Sequence, residues 1–122
     1  MSHERCIQIH WTCKNVDEAR QIAGQLVQKG WVACAQIVPS IESIFIWNHQ
    51  QETTLESLVV FKTQASWFEE VKKYILEHAS YEIPEILQLP ITGGNEAYLE
   101  WVVKSTGGKK TMRDTAYTKS ME

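Results

Sequence analysis

Cysteine is scarce in this chain of 122 residues: Cys6, Cys13 and Cys34 are odd in number and show no Cys-x-x-Cys spacing. No fully paired disulfide framework can be built on three thiols, and buried thiols in a reducing compartment are the plain reading. Long apolar runs are missing as well. No N-terminal stretch has signal-peptide character, and nothing approaches the roughly 20 residues of a membrane span, so a cytoplasmic protein is expected. Basic residues are thin in the body of the chain: residues 1–108 hold 8 Lys and Arg against 13 Asp and Glu. An acidic domain without a basic stripe is a poor partner for nucleic acid, where phosphate neutralisation supplies most of the affinity. Absent too are a Ser-His-Asp set, a phosphate-cradling glycine loop and a metal-hydrolase motif, which argues against an enzyme.

What is present suffices for one compact domain. A hydrophobic fraction of 43% and five Trp allow a core without a metal or disulfide staple. Residues 6–12 alternate, with Ile7, Ile9 and Trp11 on one face, and read as a strand. Asn15 then caps a helix, with Glu18 completing a capping-box pair and Gly30 supplying the stop. From Trp31 to Trp47 runs one long strand, bent or bulged at Pro39, and residues 48–54 form a polar connection. A third strand covers 57–63. Ser66 and Glu69 predict a second capping box, ahead of a helix carrying Trp67, Phe68, Val71, Tyr74 and Ile75. Pro84 ends that region, and 86–91 reads as a short buried strand. Asn95 opens a last short helix that stops at Gly107-Gly108. Residues 109–122 lack apolar periodicity, carry a net charge of +2 and are expected to form a flexible tail.

The order β-α-β, β-α-β predicts an α+β, ferredoxin-like split fold over residues 1–108. Two main helices would cover one face of a four-stranded antiparallel sheet, with the short helix added. The strands from 31 to 63 carry more apolar surface than two helices bury, and the long second strand leaves an edge. Self-association is therefore expected.

Six motifs in register give the chain its resemblance to the CutA divalent-cation tolerance family. They are Thr12-Cys13, Ala33-Cys34-Ala35-Gln36-Ile37-Val38-Pro39, Ser43-Ile44-Phe45-Ile46-Trp47, Phe61-Lys62-Thr63, Tyr81-Glu82-Ile83-Pro84-Glu85 and Tyr98-Leu99-x-Trp101. The resemblance implies a homotrimer that associates with copper or another divalent metal, with no obligatory cofactor. The metal residues it implies are Cys13, His78 and Glu85. Only Glu85 stands where the family has its ligand: Thr12 takes the place of the bacterial Cys, and Ala79 that of the His. A one-residue shift in a strand turns a side chain to the other face. Weak metal binding is therefore expected.

Trp47, Lys62, Tyr81, Glu85, Tyr98 and Trp101 are the candidates for an intersubunit cleft. Lys62, set among apolar neighbours, needs a carboxylate partner, and Glu85 is the candidate. Packing is the plainer role for the aromatic residues, and a packed helix end the plainer role for His78. The leading function is a non-enzymatic trimer for divalent-cation tolerance or response. The alternative is a trimeric signalling or scaffold module binding a small ligand or protein at its clefts.

Overall fold

The computed structural model describes residues 5–107. The chain runs β1 (Cys6–Cys13), α1 (Val16–Gln28), β2 (Cys34–Trp47), β3 (Gln50–Gln64), α2 (Phe68–His78), β4 (Ile86–Pro90) and α3 (Glu96–Ser105). The sheet order is β2-β3-β1-β4 with every pairing antiparallel, so the split β-α-β arrangement stands. No helix among the described residues is long and apolar enough to cross a membrane. The proposed flexible tail at 109–122 lies outside the described residues.

Alternation in β1 decides which side the helices take. Ile7, Ile9, Trp11 and Cys13 point to one face, where they meet Val59 and Phe61 of β3. Ala19, Ile22, Ala23 and Leu26 of α1, with Val71 and Ile75 of α2, close over them. Trp11 and Phe61 stack at 6.3 Å between ring centroids. The opposite face receives only α3, at one end. There Leu99, Trp101 and Val102 pack on Cys6 and Ala33.

The local punctuation of α1 is as expected. Asn15 Oδ1 accepts the Glu18 amide at 2.9 Å, and Gly30 ends the segment at φ 76°. The Glu18 carboxylate, however, leaves the cap and reaches Ser80. The Ser66–Glu69 capping box does not form. Ala65–Trp67 make a 3₁₀ turn and α2 starts at Phe68 without a side-chain cap. Tertiary contacts govern here, because Trp67 stacks on Trp31 and its Nε1 donates to the Thr106 carbonyl at 2.8 Å.

Two other boundaries move, and one strand changes its surroundings. β2 begins at Cys34 rather than Trp31, since the chain leaves α1 through Trp31–Ala33 without strand pairing. The polar connection shrinks from 48–54 to the pair Asn48-His49. Both have positive φ (52° and 66°), the geometry of a tight hairpin turn, so pairing resumes at Gln50. β4 is an edge strand, not a buried one, and Leu87 is half-exposed.

The bulge at Pro39 is present and has a consequence for the faces. β2 pairs Val38 with Leu58, then Ile41 with Glu56, so one extra residue is inserted. Before the bulge Gln36 and Val38 share the face away from α1 and α2. Beyond it Ser43, Phe45 and Trp47 do. Ser57, opposite the bulge and fully buried, donates to the Pro39 carbonyl at 2.7 Å.

Candidate functional site

Three pieces of chain enclose a groove of about 940 Å³. The β2–β3 hairpin beyond the bulge contributes Ser43, Phe45, Trp47, Glu52, Thr54 and Glu56. The end of β1 contributes Thr12. The segment between α2 and β4 contributes Tyr81, Glu82, Ile83 and Glu85. That segment is pinned twice. The Glu18 carboxylate takes the Ser80 amide at 2.6 Å and the Ser80 hydroxyl at 3.0 Å, and the Thr12 amide donates to the Glu85 carbonyl at 3.3 Å. Pro84 lies between these anchors and bars the chain from helix there. Tyr81 is thereby delivered to the groove wall.

Electrostatically the groove is one-sided. Among the described residues four carboxylates line it, and no Lys, Arg or His does. Glu56 is the best held: the Ser43 hydroxyl donates to its Oε1 at 2.6 Å and the Tyr81 hydroxyl donates to the same carboxylate. Burial first, and then this bond to Glu56, push the Tyr81 phenol up to about 12. The phenol stays protonated and remains a donor. Charge-assisted bonds of this kind fix the direction of the carboxylate. Thr12 is only 6% exposed and its hydroxyl makes no hydrogen bond among the described residues. Thr54 Oγ1 is buried without a partner.

Of the expected cleft residues, Trp47, Tyr81 and Glu85 meet in this groove. Lys62, Tyr98 and Trp101 do not, within one chain. Lys62 sits opposite Gln8 and Cys34, and its Nζ donates to Gln36 Oε1. Within one chain the expected Lys62–Glu85 ion pair does not form. Glu85 lies beside Thr12, which pairs with Leu58, four residues along β3 from Lys62. The stem of Lys62 is half-buried, and its ammonium reaches a neutral amide across the strands at the surface. Tyr98 and Trp101 belong to α3 and face Cys6, Ala33 and Cys34, with the Tyr98 hydroxyl and Cys34 Sγ 3.5 Å apart. Burial, then that contact, raise the Tyr98 phenol.

The expected metal residues Cys13, His78 and Glu85 do not assemble either. Among the described residues no group of three or more His, Cys, Asp or Glu is placed to hold a metal ion. Cys13 faces the helices, 1% exposed, and its Sγ donates to the Asn15 carbonyl. Burial, then the nearby Glu18 charge, push this thiol up to about 11, so the thiolate a metal needs is disfavoured. His78 ends α2, stacked on Tyr74 at 4.0 Å, with Nδ1 2.8 Å from the Tyr74 carbonyl. The one-residue displacement thus puts Thr12 in the groove and Cys13 in the core.

Sequence reasoning missed Glu56 as the centre of the groove, together with Glu52 and Glu82. The available signal was a Glu in the middle of a strand, two residues before Leu58. Its value depends on the bulge that turns Ser43 toward it.

Comparison with known proteins agrees with this architecture. The family described as CutA1 divalent ion tolerance protein matches residues 7–105. The chain is 36% identical over 100 residues to the chloroplastic CutA protein of Arabidopsis thaliana, covering 82% of this chain and 55% of that one. It is also 36% identical over 96 residues to the divalent-cation tolerance protein CutA of Thermus thermophilus, 79% and 93% of the two lengths. Among solved structures, CutA1 from Oryza sativa superposes with a TM-score of 0.82 at 34% identity, over 87% of this chain and 98% of the other. The chain spans about half the length of its plant and animal relatives and most of its bacterial one. By sequence and by fold, the chain belongs to the CutA1 divalent ion tolerance family.

Proposed function

We propose that this chain works as a homotrimer in divalent-cation tolerance, without catalysis, by loose and reversible association of copper or another divalent cation with the acidic groove. The observation that carries this reading is the groove itself, lined among the described residues by four carboxylates and no basic residue. Oxygen donors alone suit hard cations better than copper, which prefers imidazole and thiolate. The buried Cys13 and the outlying His78 give a single chain no tight copper site. Weak binding that depends on Glu85 fits the chemistry.

Assembly is supported by surface that one chain leaves uncovered. β2 and β3 run 14 and 15 residues against 8 for β1 and 5 for β4, so the hairpin projects beyond its neighbours. On that projection Ile46 is 65% exposed and Leu55 69%. The outer edge of β2 is unpaired along its length, a feature soluble proteins usually cover. Three free thiols fit a reducing cytoplasm.

Calorimetric titration with Cu²⁺ tests the cation reading. Affinity should be micromolar or looser, lowered by Glu85→Gln and unchanged by Cys13→Ser. Tight stoichiometric binding abolished by Cys13→Ser or His78→Ala would overturn it. Sedimentation equilibrium should return three chains per particle at micromolar concentration, and monomers there would end the trimer proposal.

A second reading, a signalling or scaffold module with a small organic ligand, is favoured by the aromatic wall of the same groove, Phe45 and Trp47.

A further inference from the structure

We infer that the groove takes a small linear polyamine, a diamine or triamine, in preference to a bare metal ion; the inference rests on the groove being the working site. Among the described residues no three of the carboxylates are placed to hold one metal ion. Glu52 and Glu56 are four residues apart on one strand, which is about 13 Å at about 3.3 Å per residue. A single ion coordinated at about 2.0–2.6 Å would need both side chains bent toward each other from that backbone separation. A chain with ammonium groups at intervals can meet the carboxylates one after another. Methylene segments between the charges then need apolar contact, and Phe45, Trp47 and Ile83 provide it on the same walls. An ammonium over an aromatic face gains a further cation–π attraction.

The polar atoms left over in the groove match the same ligand. An ammonium brings three donors and no acceptor. Thr12 offers a hydroxyl oxygen on a side chain more than nine-tenths buried and hydrogen-bonded to nothing among the described residues. Glu56 is already oriented by Ser43 and Tyr81, so little ordering is left for the ligand to impose. Among the described residues no cation lining the groove competes for these acceptors.

The test is calorimetry on the full chain at low salt with spermidine, putrescine, 1-butylamine and Mg²⁺. Spermidine should bind at one site per chain, at least tenfold tighter than 1-butylamine, and weaken as salt rises. Glu56→Gln should lower its affinity about tenfold and Thr12→Val several-fold. Glu70→Gln, on the outer surface of α2, should leave it unchanged. Thr12→Val keeps the residue's shape and its backbone contact to Glu85, so it tests the inference even if Glu56→Gln fails to fold. Spermidine binding no tighter than 1-butylamine would overturn the inference. So would an equal loss in Glu70→Gln and Glu56→Gln, or Mg²⁺ displacing spermidine at equal concentration. If spermidine fails while Cu²⁺ binding still depends on Glu85, this inference falls and the cation-tolerance reading stands. If spermidine binds as expected while Glu85→Gln leaves Cu²⁺ binding untouched, the opposite holds.

Discussion

The two faces of β3 are built from one stretch of chain and have opposite fates. Val59, Phe61 and Thr63 point toward α1 and α2 and are buried, while Leu58, Val60 and Lys62 between them are only partly covered. The first face is a finished core, closed by helices from the same chain. The second is covered by α3 at one end and by the groove's walls at the other. Stability and recognition are thus separated by a single step along a strand, and a substitution's effect depends on which parity it hits.

That contrast can be broken or sharpened by experiment. Phe61→Ala removes a ring stacked on Trp11 and should cost about 3–5 kcal/mol in chemical denaturation, as large-to-small core changes do. Val60→Ala on the opposite parity should cost about 1 kcal/mol or less. A loss at Val60 equal to that at Phe61 would mean the assembled protein packs both faces alike. Ser57→Ala strips the Pro39 carbonyl of its donor inside the bulge and should cost about 1–3 kcal/mol. Asn15→Ala, at the exposed start of α1, should cost about 1 kcal/mol and leave the groove's ligand binding intact.

The smallest effect is one of pH. Tyr81 is pushed up to about 12, so folding favours its neutral phenol. Its contribution is complete below pH 10 and is lost as pH rises from about 10 through about 12, because the unfolded chain ionises first. Phenolate absorbance should reveal a late-titrating tyrosine that Glu56→Gln shifts down, since Glu56 both accepts its bond and repels its anion. An unmoved titration would separate Tyr81 from Glu56.

The elements legible in the sequence are those set by near neighbours. Ile7, Ile9 and Trp11 announce β1 by alternation, and Asn15 and Gly30 bracket α1 by their own backbone chemistry. What was hidden depends on distant residues. The start of α2 at Phe68 follows from Trp31 and Thr106 holding Trp67 just before it, which no capping rule foresees. Lys62 finds Gln36, 26 residues away, because β2 lies beside β3 at that register. Glu85, Tyr81 and Trp47 were readable as candidates from their motifs. Their grouping around Glu56, and the exclusion of Tyr98 and Trp101, follow from the sheet order and the hairpin's length.

The bulge between Val38 and Ile41 also sets a rule for how this sequence can drift. Deleting one residue there, Ser40 for example, would act on the hairpin as a frameshift acts on a reading frame. Every side chain from Ile41 to Trp47 would exchange sides: Ser43, Phe45 and Trp47 would leave the face that carries Glu52 and Glu56, and Glu42, Ile44 and Ile46 would take their places. Length changes in this arm are therefore expected in even steps or at the Asn48-His49 tip. Relatives lacking the bulge would have to write their groove on the opposite set of β2 positions.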